Sequence, residues 1–552
     1  MNGTYRTLSR LAALLGLCMA VWAPASQAQI APPLTNLHSF TGGVDGASPI
    51  ARLIQAKDGN LYGTTTRGGT SGWGTVFKIT PSGTLTTLHS GTDTALPQSG
   101  LIQAKDGYLY GTSEEGGANG MGTIYKITPS GVLTILYSFS PLSPSYPFIN
   151  SDGTAPLGRL IQGTDGNLYG TAFAGGSNDL GTVFKITTGG TFTTLHSFSG
   201  NPVDGSQPFT GLIEGNDGNL YGTTYDGGAW NAGTVFKITP SGVLTILYSF
   251  TGAADGGNPK AGLIQGTDGG LYGTTEVGGA SDYGTVFKIT PSGALTTLYS
   301  FTGAADGGVS SGGLLQCKDG NLYGTCAEGG ADGSGTVFKI TTSGVLTTLY
   351  SFTGGADGGA PKAGLIEGKD GNLYGTCPQG GADGNGGVFK LTMPPVIKSF
   401  SPIGGPIGTS VSLTGVNFTG ATAVKFGSTP VSFTINSDTS LTFAVPVPGA
   451  ASAKITVSNV FGSGVSSKAF KMTPVISSFS PASGPVGTLV TLTGVNFLGA
   501  TSVEVGTLPA TFIILSDTSL KLVVPTGAVT AKITVVNSFG TGTSAKSFTV
   551  TP

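Results

Sequence analysis

The sequence predicts an all-β protein: a seven-bladed β-propeller closed by an N-terminal strand, followed by two immunoglobulin-like β-sandwiches. Three observations predict it. The stretch "DGNLYGTT" at 58–65 returns in near-copies beginning at Asp106, Asp165, Asp217, Asp268, Asp319 and Asp370, seven in all. A lone "LTNLHSF" at 34–40 precedes the first repeat, and the seventh repeat ends at "GGVFKLT", 386–392, with no such segment after it. Beyond residue 393 a different repeat begins, "PVIKSFSPIGGPIGTSVSLTGVNF" at 395–418 being matched by "PVISSFSPASGPVGTLVTLTGVNF" at 474–497.

The first 28 residues stand apart from this pattern. Arg6 and Arg10 precede the apolar run 11–21, and "ASQAQ" offers a small-residue cleavage site after Ala28; this is the layout of an export signal. The apolar run is short for a membrane span, and no later stretch is long and apolar enough for one. The mature chain is therefore expected to be secreted, extracellular or at the cell surface, with the periplasm also open, and monomeric. Lys plus Arg number 26 against 28 Asp plus Glu, which gives no electrostatic case for nucleic acid or an anionic membrane.

Four segments recur in fixed order through residues 29–393. "GLIQ", as at 100–103, comes first, then "DGNLYGT", then "GTVFKIT", as at 74–80, and last "LTTLYSF", as at 295–301. Each is short, rich in β-branched and aromatic residues, and bounded by Gly, Asp, Pro or Ser, which are strand and hairpin signals. With 95 glycines in the chain, turns that need positive φ are readily supplied. Four antiparallel strands per repeat make a propeller blade. The lone segment at 34–40 supplies the outer strand that blade seven lacks, which closes the ring and removes two open sheet edges.

The two later units, 394–473 and 474–552, share "SDTSL" at Ser437 and Ser516 and "AKITV" at Ala453 and Ala531. Units of this size built from short strands read as small β-sandwiches. On the seven copies, residues 34–392 resemble the bacterial tandem-repeat "GloVer" proteins, described as choice-of-anchor for their variable surface attachment, although no C-terminal anchor is recognisable. The two later units resemble IPT/TIG domains, immunoglobulin-like modules of cell-surface receptors, some transcription factors and some polysaccharide enzymes. The first resemblance brings no assigned activity; the second implies a stiff spacer or an accessory binding module.

Residues that could carry chemistry are mostly claimed by the repeat. His38, His89 and His196 occupy one place in the fourth strand, where other copies have Tyr137, Tyr248, Tyr299 and Tyr350; a packed aromatic with a polar tip suits both. The "DG" aspartates stand at hairpin turns. The lysines of "FKIT" recur in all seven repeats, so they are read as burying their stems between blades and pairing with the turn aspartates. Cys317, Cys326 and Cys377 are read as buried small apolar residues, the last two holding equivalent places in successive repeats. No zinc spacing, "GxSxG" or phosphate loop appears, and no catalytic residue, metal or cofactor is assigned.

What varies lies on one side of the disc. Turns after the first and third strands, "KDGN" and "TPSG", are nearly constant, whereas those after the second and fourth differ in sequence and length. The candidate ligand-binding residues are accordingly Trp73, Met121, Phe173, Leu180, Tyr225, Trp230 and Tyr283, with Tyr146 and Phe148 from the long insertion at 140–158. Aromatics on loops over a rigid frame fit recognition of an extracellular glycan or surface protein; packing over the blade ends is the alternative for each. The favoured reading is a non-catalytic binding or adhesion protein. The alternatives are a secreted carbohydrate-active enzyme (oxidase, lyase or hydrolase), with loop carboxylates among Glu114, Glu115, Asp226, Glu276 and Glu328, and a structural cell-surface component.

Overall fold

The computed structural model describes residues 34–144, 149–200, 202, 204–446, 452–459 and 461–552. The expected export segment, Tyr146 and Phe148 lie outside these. Every regular element described is a β-strand, and no helix among the described residues is long and apolar enough to cross a membrane.

Seven four-stranded antiparallel sheets form the propeller. Blade one runs Ile54–Gln55, Leu61–Thr65, Thr75–Ile79 and Leu85–His89, and the next five blades repeat that order. Blade seven contributes Ile366–Glu367, Leu373–Cys377 and Gly387–Leu391, and its outer strand is Leu34–Ser39. Leu34 pairs with Leu391 and Ser39 with Gly387, so closure by the N-terminal strand is as the repeat ends predict.

The constant residues each have a mechanical task. Asp58 opens the first hairpin turn, accepting the Asn60 N–H at 3.0 Å and the Tyr62 hydroxyl at 2.7 Å; Gly59 sits at φ +85° with open space around it. The Tyr–Asp bond recurs in all seven blades at 2.6–2.7 Å. Gly63 of "LYGT" is fixed by close approach, because a Cβ there would stand 2.6 Å from Phe77 Cζ and 2.7 Å from Leu53 Cδ2. The lysine–aspartate pairs expected from "FKIT" form ion pairs in two blades, Lys288–Asp268 at 2.7 Å and Lys390–Asp370 at 3.0 Å.

Adjacent blades are clasped at the first strand. Gln55 donates to the Gly59 carbonyl of its own turn and accepts the Lys369 N–H of blade seven at 2.7 Å. Gln103, Gln162, Glu214, Gln265 and Gln316 accept equivalent N–H groups of the preceding blade, and Glu367 pairs with Lys318 at 3.5 Å. At the outer strand the His-or-Tyr position meets a second aspartate. His38, His89 and His196 bond Asp45, Asp93 and Asp204, and Tyr137, Tyr248, Tyr299 and Tyr350 bond Asp152, Asp255, Asp306 and Asp357, all at 2.7–3.0 Å. Six of these rings pack edge-on against a phenylalanine two residues on, as His38 does on Phe40 at 5.0 Å, while His89 has Gly91 at that place.

Each C-terminal unit is a sandwich of a four-stranded and a five-stranded sheet with its own apolar core. Both are entered through the same clamp. Asn417 and Asn459 donate to the carbonyls of Pro394 and Met393, both at 3.2 Å, and Asn496 and Asn537 do so to Thr473 and Met472, both at 3.1 Å. Asn417 also donates to Gly371 in the hairpin turn of blade seven. The first sandwich therefore joins the propeller on the side of its constant turns, and the second is joined to the first. Cys326 and Cys377 are buried thiols, but Cys317 is only half-buried. It lines a cavity of about 380 Å³ at this junction, with Lys318, Gly371, Met393 and Phe461, so the reading of all three cysteines as buried is corrected for that one.

Candidate functional site

The opposite side is built on a second sevenfold backbone device. Ser48, Leu96, Ala155, Gln207, Asn258, Val309 and Ala360, one ahead of each first strand, all adopt left-handed φ of 50–55°, a costly conformation for side chains of such different shapes. Each donates its N–H to the preceding blade, to the carbonyls of Asn385, Trp73, Met121, Leu180, Ala232, Tyr283 and Ser334 respectively, at 2.8–3.2 Å. The carbonyl acceptors are the positions that vary just before each third strand. Their side chains change from blade to blade while their backbone is held in one place.

The sequence candidates separate on this frame. Trp73, Trp230 and Tyr283 are exposed at 43%, 67% and 39%. Tyr283 nevertheless covers the next blade's loop, where a Cβ on Gly303 would lie 2.5 Å from its ring. Met121 and Leu180 pack against interblade cores, which is the structural alternative left open for them. Phe173 and Tyr225 come together through a residue that loop variation does not flag: Phe209 stands 5.6 Å edge-on from Phe173 and 6.3 Å from Tyr225. Lys260 lies over both Phe209 and Tyr225, 5.0 and 6.0 Å from the ring centroids, and pairs with Glu276 at 3.4 Å. Burial, then Glu276, pushes the Tyr225 hydroxyl up to about 12.

This row of rings borders the mouth of the axial channel, a cavity of about 390 Å³ lined by residues from all seven blades. That volume falls within the range of roughly 300–1,000 Å³ usual for small-ligand sites. The lining begins at the residue after the blade's Pro, or Ser310 in blade six: Ile50, Gln98, Leu157, Phe209, Lys260, Ser311 and Lys362. Two residues deeper stand Arg52 and Arg159, where the other blades have Gly. Beside the mouth, Glu114 is bonded by the Gln98 amide, yet burial holds its carboxyl above the ordinary range. Burial does the same to Asp226, against the amide of Asn258. Among the described residues no group of three or more His, Cys, Asp or Glu side chains could hold a metal ion. The signal for the two arginines was present in the chain, since the "GLIQ" segment opens with Arg in blades one and three; it becomes readable once the first strand is known to be innermost.

Residues 27–149, 141–269 and 242–429 match the Gloeobacter/Verrucomicrobia repeat. The chain belongs to that family. Residues 395–472 and 474–550 match the IPT/TIG domain. No curated protein matches significantly. Among solved structures, a fungal alcohol oxidase of the AA5 family, in complex with copper, is 15% identical over 80% of this chain and 99% of its own, with a TM-score of 0.43. A putative 6-phosphogluconolactonase from Bacteroides uniformis is 19% identical over 58% of this chain and 88% of its own, at 0.40. The surface glycan-binding protein PbSGBP-B from Prevotella bryantii is 15% identical over 28% of this chain and 42% of its own, at 0.18. At these scores the likenesses carry no argument about function.

Proposed function

We propose that this is an exported binding protein of the cell exterior, whose site is the channel mouth on the variable side of the propeller. The observation that carries the reading is the frame of seven left-handed residues and their interblade hydrogen bonds. It fixes the backbone around the mouth while the side chains there follow no repeat, an arrangement suited to recognition from a rigid scaffold. Phe173, Phe209 and Tyr225 supply an aromatic wall, and such rings bind flat apolar faces, those of pyranose sugars included. The first sandwich docks beside the constant turns of blade seven, away from the mouth, which suits the two sandwiches as spacers.

The test is a binding screen of the mature chain against extracellular polysaccharides and surface proteins, followed by titration of variants. Phe209→Ala should weaken the ligand found by about thirtyfold, roughly 2 kcal/mol, and Ser82→Ala, in a constant turn, should leave it unchanged. The opposite pattern places the site on the other side of the disc. The raised carboxyl of Glu114 at the mouth favours one second reading, a glycan-cleaving enzyme using it as acid. Turnover of a polysaccharide that is abolished by Glu114→Gln would replace the binding reading.

A further inference from the structure

The chain has five arginines: Arg6, Arg10, Arg52, Arg67 and Arg159. Two of them line the axial channel, from blades one and three. Their ring position is Gly in the other five blades. At three of those glycines a Cβ would crowd the neighbouring blade's carbonyl oxygen, at 2.0 Å for Gly211, 2.4 Å for Gly364 and 2.7 Å for Gly100, whereas Gly262 and Gly313 have room, with 3.6 Å to the nearest atom. The two arginines thus depart from the repeat at a position that every other blade gives to glycine. They are also electrostatically uncompensated. Neither has a salt-bridge partner among the described residues. The Nε of Arg52 is shielded from solvent with no hydrogen-bond partner, while that of Arg159 donates to the Leu101 carbonyl at 3.1 Å. No Asp or Glu lines the cavity, whereas Lys260 and Lys362 do. Of the carboxylates at the mouth, Glu276 is paired with Lys260 and Glu114 is bonded to Gln98.

Partly buried, unpaired cations are destabilising unless something satisfies them, and local rules are broken where function requires it. Resting on the binding reading above, we infer that the channel takes an acidic saccharide, its carboxylate or sulfate held by the Arg52–Arg159 pair and its ring set against Phe209 at the mouth. A guanidinium presents a planar fork of donors matched to such oxyanions. Burial, and for Arg52 also the charge of Arg159, lowers the two guanidinium groups to about 9 and about 10, so both remain cationic at neutral pH. The aromatic wall next to the cations selects a sugar acid over a bare anion.

Calorimetric titration of the full mature chain with tri-galacturonic acid, its methyl ester and a sulfated disaccharide tests this. Arg52→Gly and Arg159→Gly introduce the residue the repeat itself uses, so the fold should persist; Arg52→Gln and Arg159→Gln serve as a second pair. At least one anionic probe should bind, with each single variant weakening it about tenfold, the double variant more than thirtyfold, and the ester binding at least tenfold more weakly than the acid. Equal binding of acid and ester, lost in Phe209→Ala but kept in the double variant, overturns the acidic ligand and leaves the binding reading standing. Failure of both anionic probes overturns the inference, and inorganic sulfate or an aspartate-rich peptide binding as tightly as the trimer overturns its saccharide part.

Discussion

Phe40→Ala isolates the closure of the ring in one side chain. Phe40 is fully buried although it lies near the start of the described chain. It packs with Leu53, Phe77 and Ile79 of blade one and Ile366, Tyr374 and Val388 of blade seven, with its ring 5.3 Å from Phe77 in an edge-on contact. Its N–H donates to Gly386 at 2.9 Å. Phe250 makes the same contact in an uninterrupted part of the ring, 5.2 Å from Phe287. Emptying a fully buried Phe site costs about 3–5 kcal/mol, so both Phe40→Ala and Phe250→Ala should lose about that amount. In a domain of this size that is a fall in melting temperature of roughly 5–10 °C. Urea unfolding followed by tryptophan fluorescence reads the propeller alone, because Trp73 and Trp230 both lie there and the sandwiches contain none. A loss below about 1 kcal/mol for Phe40→Ala beside a full loss for Phe250→Ala would show that the N-terminal strand does not bear the seam, and the closed ring would fail with it.

Three further outcomes follow from the same geometry. Tyr125 stands where the other six blades have Phe, and its buried hydroxyl has no partner; Tyr125→Phe should stabilise the propeller by about 1 kcal/mol in urea unfolding. The triple change of His38, His89 and His196 to Tyr should alter stability by less than about 1 kcal/mol and leave ligand titrations unchanged, since tyrosine already bonds the equivalent aspartates in four blades. The bond from Lys288 lowers Asp268 to about 2, and Asp58, Asp165, Asp217 and Asp370 are held low by their turn hydrogen bonds against the opposing effect of burial. Folded values below the unfolded value, near 4, mean stability present above about pH 4 and lost as the pH falls toward 2, so melting temperature should drop across that window and Asp268→Asn should flatten the drop.

The frame was legible in the sequence because every blade must solve the same mechanical problem. Asp58, Gly63 and Tyr62 recur since a hairpin turn, a close ring contact and a buried hydroxyl recur, and identical constraints leave identical letters. The second aspartate series, Asp45 to Asp357, serves the His-or-Tyr tips and was missed, because it sits in connections whose length varies and falls out of register with the copies. Loop variation pointed to the side of the disc that the proposed site uses and to Phe173 and Tyr225, but it also drew in Met121 and Leu180, which pack against the interblade cores.

Departures within the "GLIQ" strand carried more information than departures in loops, and the physical reason concerns radius. Seven first strands converge on one axis, so a change of residue there faces six counterparts across a cavity of about 390 Å³, whereas an outer loop faces solvent. Exchanging a loop residue costs little and signals little. Arginine in place of glycine at Arg52 and Arg159 costs charge solvation, and no carboxylate within the described fold pairs with either. The same reasoning gives opposite signs for stability and binding in the two glycine variants. Removing uncompensated cations should raise the melting temperature of the unliganded chain while it weakens an acidic ligand. A fall in melting temperature together with unchanged binding would make the pair part of the scaffold.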